Sequence, residues 1–425
     1  MPAVLPSGAS AVRNRSLAAS AIVACLLLAA PAMPAPAASQ PLSNAPAAAH
    51  QRVTIVLARE RRDLPPPLSL LDMPAANDAV AGAQLAINDN NTTGRFLAQE
   101  FALAVVEGLP ADALIAEVEA RVRQGAAFVV LDVAPSTVLA LADRLKDAPV
   151  MLLNAGSADD GLRGEGCRRN VLHTAPSRSM LADALAQYLV WKRWRRWFLV
   201  LGTDDADQAF AAALRRAAKR FGAKIVQERA FNLDPGNRRS DGGHEQIQAQ
   251  MPAFSQNVPD YDVLLVADES GQFGDYLPYR TWDARPVAGT QGLVATSWHP
   301  ALEQWGASQF QNRFVRLANR PMRALDYNVW VAIRSIGEAA ARTRSARAND
   351  IIAYLRSQEF ELAAFKGRKL SYRSWNGQLR QPILLGTAKL TVTVSPQPGF
   401  LHQTSELDTL GSDKPESVCK AYASP

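Results

Sequence analysis

The chain has 425 residues, 48% apolar and 20% charged, with 27 prolines and 25 glycines; this is a globular composition, too apolar for a disordered chain, and its length suits two domains of roughly 100–200 residues each. The 46 basic residues face 40 acidic ones, so the surplus of +6 singles out no polyanionic partner. Three cysteines exclude a disulfide-dense scaffold, and His50, His173, His244, His299 and His402 show no metal-ligand spacing.

In chain order, residues 1–37 read as a signal peptide and 38–51 as a spacer. Arg13 and Arg15 form a positive n-region, Leu17 to Ala30 an apolar stretch too short to span a bilayer, and Ala35-Pro36-Ala37 or Ala30-Pro31-Ala32 a small-residue processing site. Ile22 to Cys25 resembles a lipoprotein box, but Leu26, Leu27 and Leu28 continue the apolar run past the cysteine. Cleavage after Ala37 takes the net charge from +6 to +4 and leaves two cysteines, Cys167 and Cys419, an even pair that suggests one disulfide tying the tail to the body.

After residue 50, short apolar runs alternate with helical patterns. Val53–Ala58, Phe101–Val106, Phe128–Asp132 and Val150–Ala155 predict strands, separated by helices over about 78–90, 111–124 and 137–147. The pattern begins again with Trp197–Leu201, Ile225–Phe231, Val263–Ala267 and a weaker Pro286–Leu293, between helices at about 179–192, 206–221 and 243–254. Residues 303–358 read as mostly helical, and Lys389–Val394 as a last strand. Continuous apolar runs suit parallel sheets covered on both faces, so the expected fold is α/β: two Rossmann-like lobes with parallel-sheet cores. In such sheets a ligand lies outside the carboxyl ends of the strands.

Three motifs carry a resemblance. Gly82-Ala83-Gln84-Leu85-Ala86-Ile87-Asn88, with Asn91 and Gly94 beyond it, resembles the first-helix signature of type I periplasmic substrate-binding proteins of the branched-chain amino-acid group, its small residues packing the helix on the sheet. His173-Thr174-Ala175-Pro176-Ser177 resembles their first interlobe crossover, and Pro321 with Asp326-Tyr327 their late-helix signature. Arg59–Asp63 with the following three prolines, and Glu406–Gly411, resemble a narrower subgroup that accompanies pyrroloquinoline-quinone (PQQ)-dependent alcohol dehydrogenase systems. The resemblance implies a three-crossover hinge, with crossovers near 173–178, 294–300 and 384–390. Lobe 1 would comprise 52–175 and 298–386, and lobe 2 would comprise 176–297 and 387–425. It implies a periplasmic, monomeric, non-enzymatic protein of an ABC-type uptake system, with a small-molecule ligand, a transporter permease and a quinoprotein dehydrogenase as partners and no cofactor. An accessory protein that keeps the fold but has lost ligand binding is the alternative.

The implied ligand site draws on loops at strand ends. Ser136 and Thr137 start a helix after the third strand, where the resemblance places a ligand carboxylate; a plain helix cap is the other reading. Asn154, Gly156 and Ser157 follow the fourth strand. In the second lobe Gly202-Thr203-Asp204-Asp205-Ala206-Asp207-Gln208 keeps an acidic turn but lacks the Tyr-Gly that covers an amino-acid ligand in the group; Asp205 is either a contact or an N-cap. Glu269 and Ser270 follow Val263–Ala267, with Glu269 a candidate partner for a ligand ammonium. Arg59 either meets an anionic ligand or belongs to a self-paired charged loop, and Trp298 either stacks on a ligand or wedges the hinge. Phosphate-binding glycine motifs and GxSxG are absent, which disfavours a nucleotide-binding enzyme. The run Trp191-Lys192-Arg193-Trp194-Arg195-Arg196-Trp197 could touch nucleic acid or a membrane, but a cationic helix end followed by core tryptophans accounts for it, so no nucleic-acid partner is expected.

Overall fold

Strand-length runs of Val, Leu and Phe alternating with helical segments assemble into two sheets, seen in a computed structural model that describes residues 51–62, 73–232 and 247–422. The expected signal peptide, Cys25, the spacer apart from Gln51, the Pro65–Pro67 stretch and the start of the 243–254 helix lie outside the described residues.

The first sheet holds β1 (Gln51–Glu60), β2 (Gln99–Leu109), β3 (Phe128–Asp132), β4 (Met151–Asn154) and β5 (Val171–His173), all parallel, in the order β2-β1-β3-β4-β5. Its intervening helices are α1 (Val80–Gly94), α2 (Ala111–Arg123) and α3 (Pro135–Arg144). After α4 (Arg178–Trp191) come β6 (Arg196–Leu201), α5 (Asp205–Phe221), β7 (Lys224–Ala230), α6 (Ile247–Phe254), β8 (Val263–Ala267), α7 (Leu277–Arg280), β9 (Val287–Gly289) and β10 (Leu293–Thr296). The chain returns to lobe 1 with α8 (Ala307–Ala318), α9 (Ala324–Thr343), α10 (Ala348–Leu355) and a small antiparallel arm, β11 (Leu362–Ala363), β12 (Lys369–Tyr372) and β13 (Leu379–Arg380). It then crosses back as β14 (Ile383–Gly386) and β15 (Thr391–Ser395), completing the second sheet in the order β15-β14-β10-β9-β8-β6-β7. Here β14 and β15 are antiparallel and the rest parallel. The expected α/β architecture of two parallel-sheet lobes and three crossovers is the observed one. The third crossover falls at 381–382, ahead of the expected 384–390, because β14 pairs with β10 and so belongs to the second sheet.

Both faces of each sheet are buried. In lobe 1, Ile55, Leu57, Val130 and Leu153 pack under α1, α8 and α9, while Val56, Val129, Leu131 and Leu152 pack under α2 and α3. In lobe 2, Trp197, Leu199 and Leu265 lie under α4 and α5, and Phe198, Val200 and Val266 face α6 and α7. This two-sided covering explains the absence of polar alternation along the strands. The small residues of the first-helix motif work differently from expectation. A Cβ on Gly82 would fall 2.2 Å from the Asp326 carbonyl oxygen, so this glycine brings α1 against the start of α9 rather than against the sheet. Asp326 caps both helices, accepting the N–H of Ala79 and of Arg323, each at 2.9 Å.

The tail beyond β15 ties the lobes together. Its buried Asp408 accepts from Arg373 (2.9 Å) and Arg380 (2.8 Å) of the lobe 1 arm. Gly411 donates its N–H to Asp183 of α4 (2.8 Å), and its carbonyl accepts from Arg216 and Arg220 of α5. Cys419 is bonded to Cys167, as the sequence suggests, closing a separation of 252 residues. Reduction of this disulfide is expected to cost about 2–4 kcal/mol, read from guanidinium unfolding with and without dithiothreitol. An unchanged midpoint would mean that the buried ion pairs alone hold the tail.

Candidate functional site

At the mouth of lobe 1 the ends of β1, β3 and β4 meet. Helix α3 begins after Ala134 with Pro135 in its first turn and no side-chain cap of its own. The N-terminal partner is instead Glu60, whose Oε2 accepts the Ala134 N–H at 2.8 Å. A carboxylate of the protein thus sits at the positive end of the helix. Arg62 donates to Asp132 at 2.9 Å, and Arg59 donates to Glu107 at 2.9 Å with its Nε 3.5 Å from Asp132. Among the described residues, Arg59 and Arg62 of the charged first-strand loop pair with Glu107 and Asp132; Asp63 lies outside the described residues. Ser136, exposed in the first turn of α3, is neither its cap nor bonded to another described residue, and Thr137 is buried inside the helix.

Asn154, Gly156 and Ser157 form a closed turn. Asn154 Oδ1 accepts the Ser157 N–H (2.9 Å), and its Nδ2 donates to the Ser157 carbonyl (2.8 Å) and to His173 Nδ1 (3.1 Å). Burial, then the Arg163 charge, holds the His173 imidazole well below its ordinary pKa, so the ring is neutral and Nδ1 can accept. A Cβ at Gly156 would come within 2.4 Å of Asp132 Oδ1, so the glycine lets the turn approach that carboxylate.

In lobe 2, Glu269 is engaged by Arg178 in a fork of 2.8 and 2.7 Å. Burial penalises the Arg178 guanidinium, but the Glu269 bonds and the Asp159 and Asp160 charges outweigh it and raise its pKa. Ser270 gives its N–H and its Oγ–H to Asp207, each at 3.0 Å. Burial pushes Asp207 above the usual carboxylate range, and the Ser270 bonds recover part of that shift. Asp268 accepts the N–H groups of Gln272, Phe273 and Gly274. Asp205 lies exposed in the first turn of α5, and Asp204 holds the N-cap position expected for it. Trp298 is buried in the second crossover, stacked on Tyr327 with ring centroids 4.9 Å apart and bonded to Gln311 at 3.1 Å.

The structure thus brings Arg59 and Gly156 together around Asp132, and separately seats Glu269 and Ser270 at the end of β8. Sequence reasoning did not single out Glu60, Asp132, Arg178 or Asp207, which are the partners that occupy these groups. A cavity of about 770 Å³ lies elsewhere, along β15 and against residues 301–305 and 366–368. A smaller one of about 290 Å³ adjoins Asp159, Asp160, Arg178 and Arg216. Among the described residues no cluster of His, Cys, Asp and Glu is placed to hold a metal ion, and no helix is long and apolar enough to cross a membrane.

Residues 71–267 match the model of a family described as periplasmic binding protein. The structure is similar to a branched-chain amino acid ABC transporter periplasmic ligand-binding protein from Burkholderia xenovorans, with TM-score 0.67 and 18% identity over 87% of this chain and 100% of that one. The fold is that of the type I periplasmic binding proteins. Similar in the same way are the leucine-, isoleucine-, valine-, threonine- and alanine-binding protein of Brucella ovis in a closed conformation (TM-score 0.62, 14% identity, 81% and 95% covered), and an ABC transporter solute-binding protein of R. palustris in complex with benzoate (TM-score 0.61, 11% identity, 87% and 99% covered). No curated protein matches the chain significantly in sequence.

On this periplasmic-binding-protein fold, the α3 N-terminus carries Glu60 where the sequence resemblance implies a ligand carboxylate. Glu60→Ala should cost about 1 kcal/mol and give a melting temperature that rises with acetate relative to chloride at equal ionic strength. The parent protein should show no such difference. Equal responses would mean that Glu60 does not block the helix end.

Proposed function

We propose that this chain is the solute-binding component of an ABC-type uptake system, working in the periplasm beside a membrane permease and without catalysis. One observation carries the reading: two parallel sheets lie on either side of three short crossovers, an arrangement that lets two lobes close by hinge motion on a small molecule. The family match over 71–267 and the similarity to binding proteins over more than four fifths of the chain support it. The ligand is not an α-amino acid held by the helix end and acid that the resemblance implies, because Glu60 fills the first and Arg178 neutralises the second. The association with a PQQ-dependent alcohol dehydrogenase system rests on the resemblance of Arg59–Asp63 and Glu406–Gly411.

The same internal pairing favours a second reading, an accessory protein of a quinoprotein dehydrogenase that keeps the fold and no longer binds a small solute. Thermal melting of the protein with free amino acids, aromatic and aliphatic carboxylates, alcohols and PQQ distinguishes the two. A solute at a hundred times its Kd stabilises by about 2.7 kcal/mol, a rise of several degrees. Amino acids are expected to give none and a member of another class to give one. Silence from every class would select the accessory reading, and a clear rise with leucine would overturn the exclusion of amino acids.

A further inference from the structure

The basic-aromatic run 191–197 divides in the structure. Trp197 is fully buried and donates from Nε1 to the Trp194 carbonyl, as a core tryptophan should. Trp191 is 52% exposed, which the core reading of the run does not explain. Lys192 lies over its ring at 5.4 Å, and Arg193 and Arg195 are exposed beside it. The Arg195 carbonyl accepts the N–H of Lys224 at 2.8 Å, which sets that exposed lysine next to the run at the start of β7. The tail adds a second protruding apolar group: Phe400 packs edge-on against Phe221, the last residue of α5, at 5.5 Å, and its neighbour Leu401 is 80% exposed.

Among the described residues, the loop before β8 brings Asp260 and Asp262 to this end of lobe 2, where both are already committed, and the loop before β9 brings exposed Asp283, which after burial helps raise the pKa of Tyr261. Asp262 accepts the N–H groups of Arg195 and Arg196 and the Arg196 side chain, and Asp260 pairs with Arg196 and Arg285. The side chains of Lys192, Arg193, Arg195 and Lys224 have no carboxylate partner among the described residues. Four cations and two protruding apolar side chains therefore share the end of lobe 2 where its parallel strands begin.

We propose that this end of lobe 2 docks on the surface of an anionic phospholipid bilayer. Trp191 and Leu401 would enter the headgroup–acyl boundary, where tryptophan is favoured, while the long cationic side chains stay at the phosphates. An acidic protein could pair with the cations, but it lacks the apolar layer that protruding Trp191 and Leu401 would enter. The candidate ligand residues Glu269 and Ser270 lie at the opposite ends of the strands, so the cleft stays open to solute while the protein is docked.

The test is flotation of the full chain with vesicles of phosphatidylcholine alone and of phosphatidylcholine with equal phosphatidylglycerol, at low and high salt. Residues 1–37 carry Arg13 and Arg15 beside an apolar stretch and are the same in every variant, so the readout is how the ratio of anionic to neutral binding changes from parent to variant. That ratio should reach on the order of several hundredfold at low salt, at about fivefold for each of four cations, and collapse at high salt. Combined Lys192→Gln, Arg193→Gln and Arg195→Gln should lower it by on the order of a hundredfold, at about fivefold per cation. Combined Trp191→Ala and Leu401→Ser should weaken binding several-fold while leaving the salt dependence in place. Circular dichroism and melting temperature verify that each variant is folded, and Lys192→Gln alone serves as the mildest substitution. A ratio near one, a triple variant that binds like the parent, or binding confined to an acidic protein or polymer would overturn the proposal.

Discussion

A single buried side chain, Gln381, links the crossovers on which the two-lobed arrangement depends. Its amide donates to the Thr174 carbonyl of the first crossover at 2.7 Å and accepts from Lys366 at 2.7 Å. Lys366 also donates to Pro382 at 3.0 Å and lies 4.6 Å over the ring of Tyr327, which in turn stacks on Trp298 of the second crossover. Among the described residues no carboxylate pairs with this lysine, and burial holds its amine well below the ordinary value. Gln381 and Lys366 are both buried and hydrogen-bonded, so removing either leaves a buried partner unsatisfied beside the crossovers. The crossovers are therefore joined to one another by one polar knot rather than passing as three independent strands.

The tail adds a further constraint on the hinge side. Arg373, Asp408 and Arg380 place a buried ion cluster between the lobe 1 arm and the tail, while Asp183 with Arg216 and Arg220 secures the next residues to lobe 2. Buried ions of this kind add little net stability over an apolar contact, but breaking one partner away is costly. Their contribution is to fix where the tail lies. The segment Glu406–Gly411, which resembles the quinoprotein-associated subgroup, is the part of the tail that makes these contacts to both lobes. Whatever the chain binds, it does so with hinge motion opposed by a strap that also carries the Cys167–Cys419 bond.

Much of the fold was legible because burial on both sheet faces writes itself into sequence as uninterrupted apolar runs; Phe128–Asp132 and Val263–Ala267 are strands with those bounds. What was missed was short or dependent on distant partners. Val171–His173 has three residues, too few for a periodicity, and Ile383–Gly386 reads as a fragment until β10 stands beside it. The expected single run Pro286–Leu293 divides into β9 and β10 because Gly289 and Gly292 take left-handed φ values of 128° and 75°. At the site the loops were legible and their occupants were not. Nothing local announces that Glu60 meets an amide 74 residues away, or that Arg178 meets Glu269 across 91. Within the 191–197 run the residue type alone does not separate the tryptophans, and packing leaves Trp197 buried in the sheet core and Trp191 exposed at the helix end.

The internal carboxylate at α3 bears directly on what can be recognised there. A helix end attracts a tethered carboxylate and a free one by the same field, but a group tethered within the fold competes at an effective concentration of order millimolar or above. A free solute must displace Glu60 to use that contact, and the Arg178–Glu269 fork sets the same condition in lobe 2. A solute bound at micromolar concentration therefore takes its affinity from other groups, with these charges left in place as walls of the cleft. On the proposed reading, the two-lobed geometry is kept while the strongest polar contacts are taken up within the protein, and selectivity would fall to the shape and apolar character of the solute.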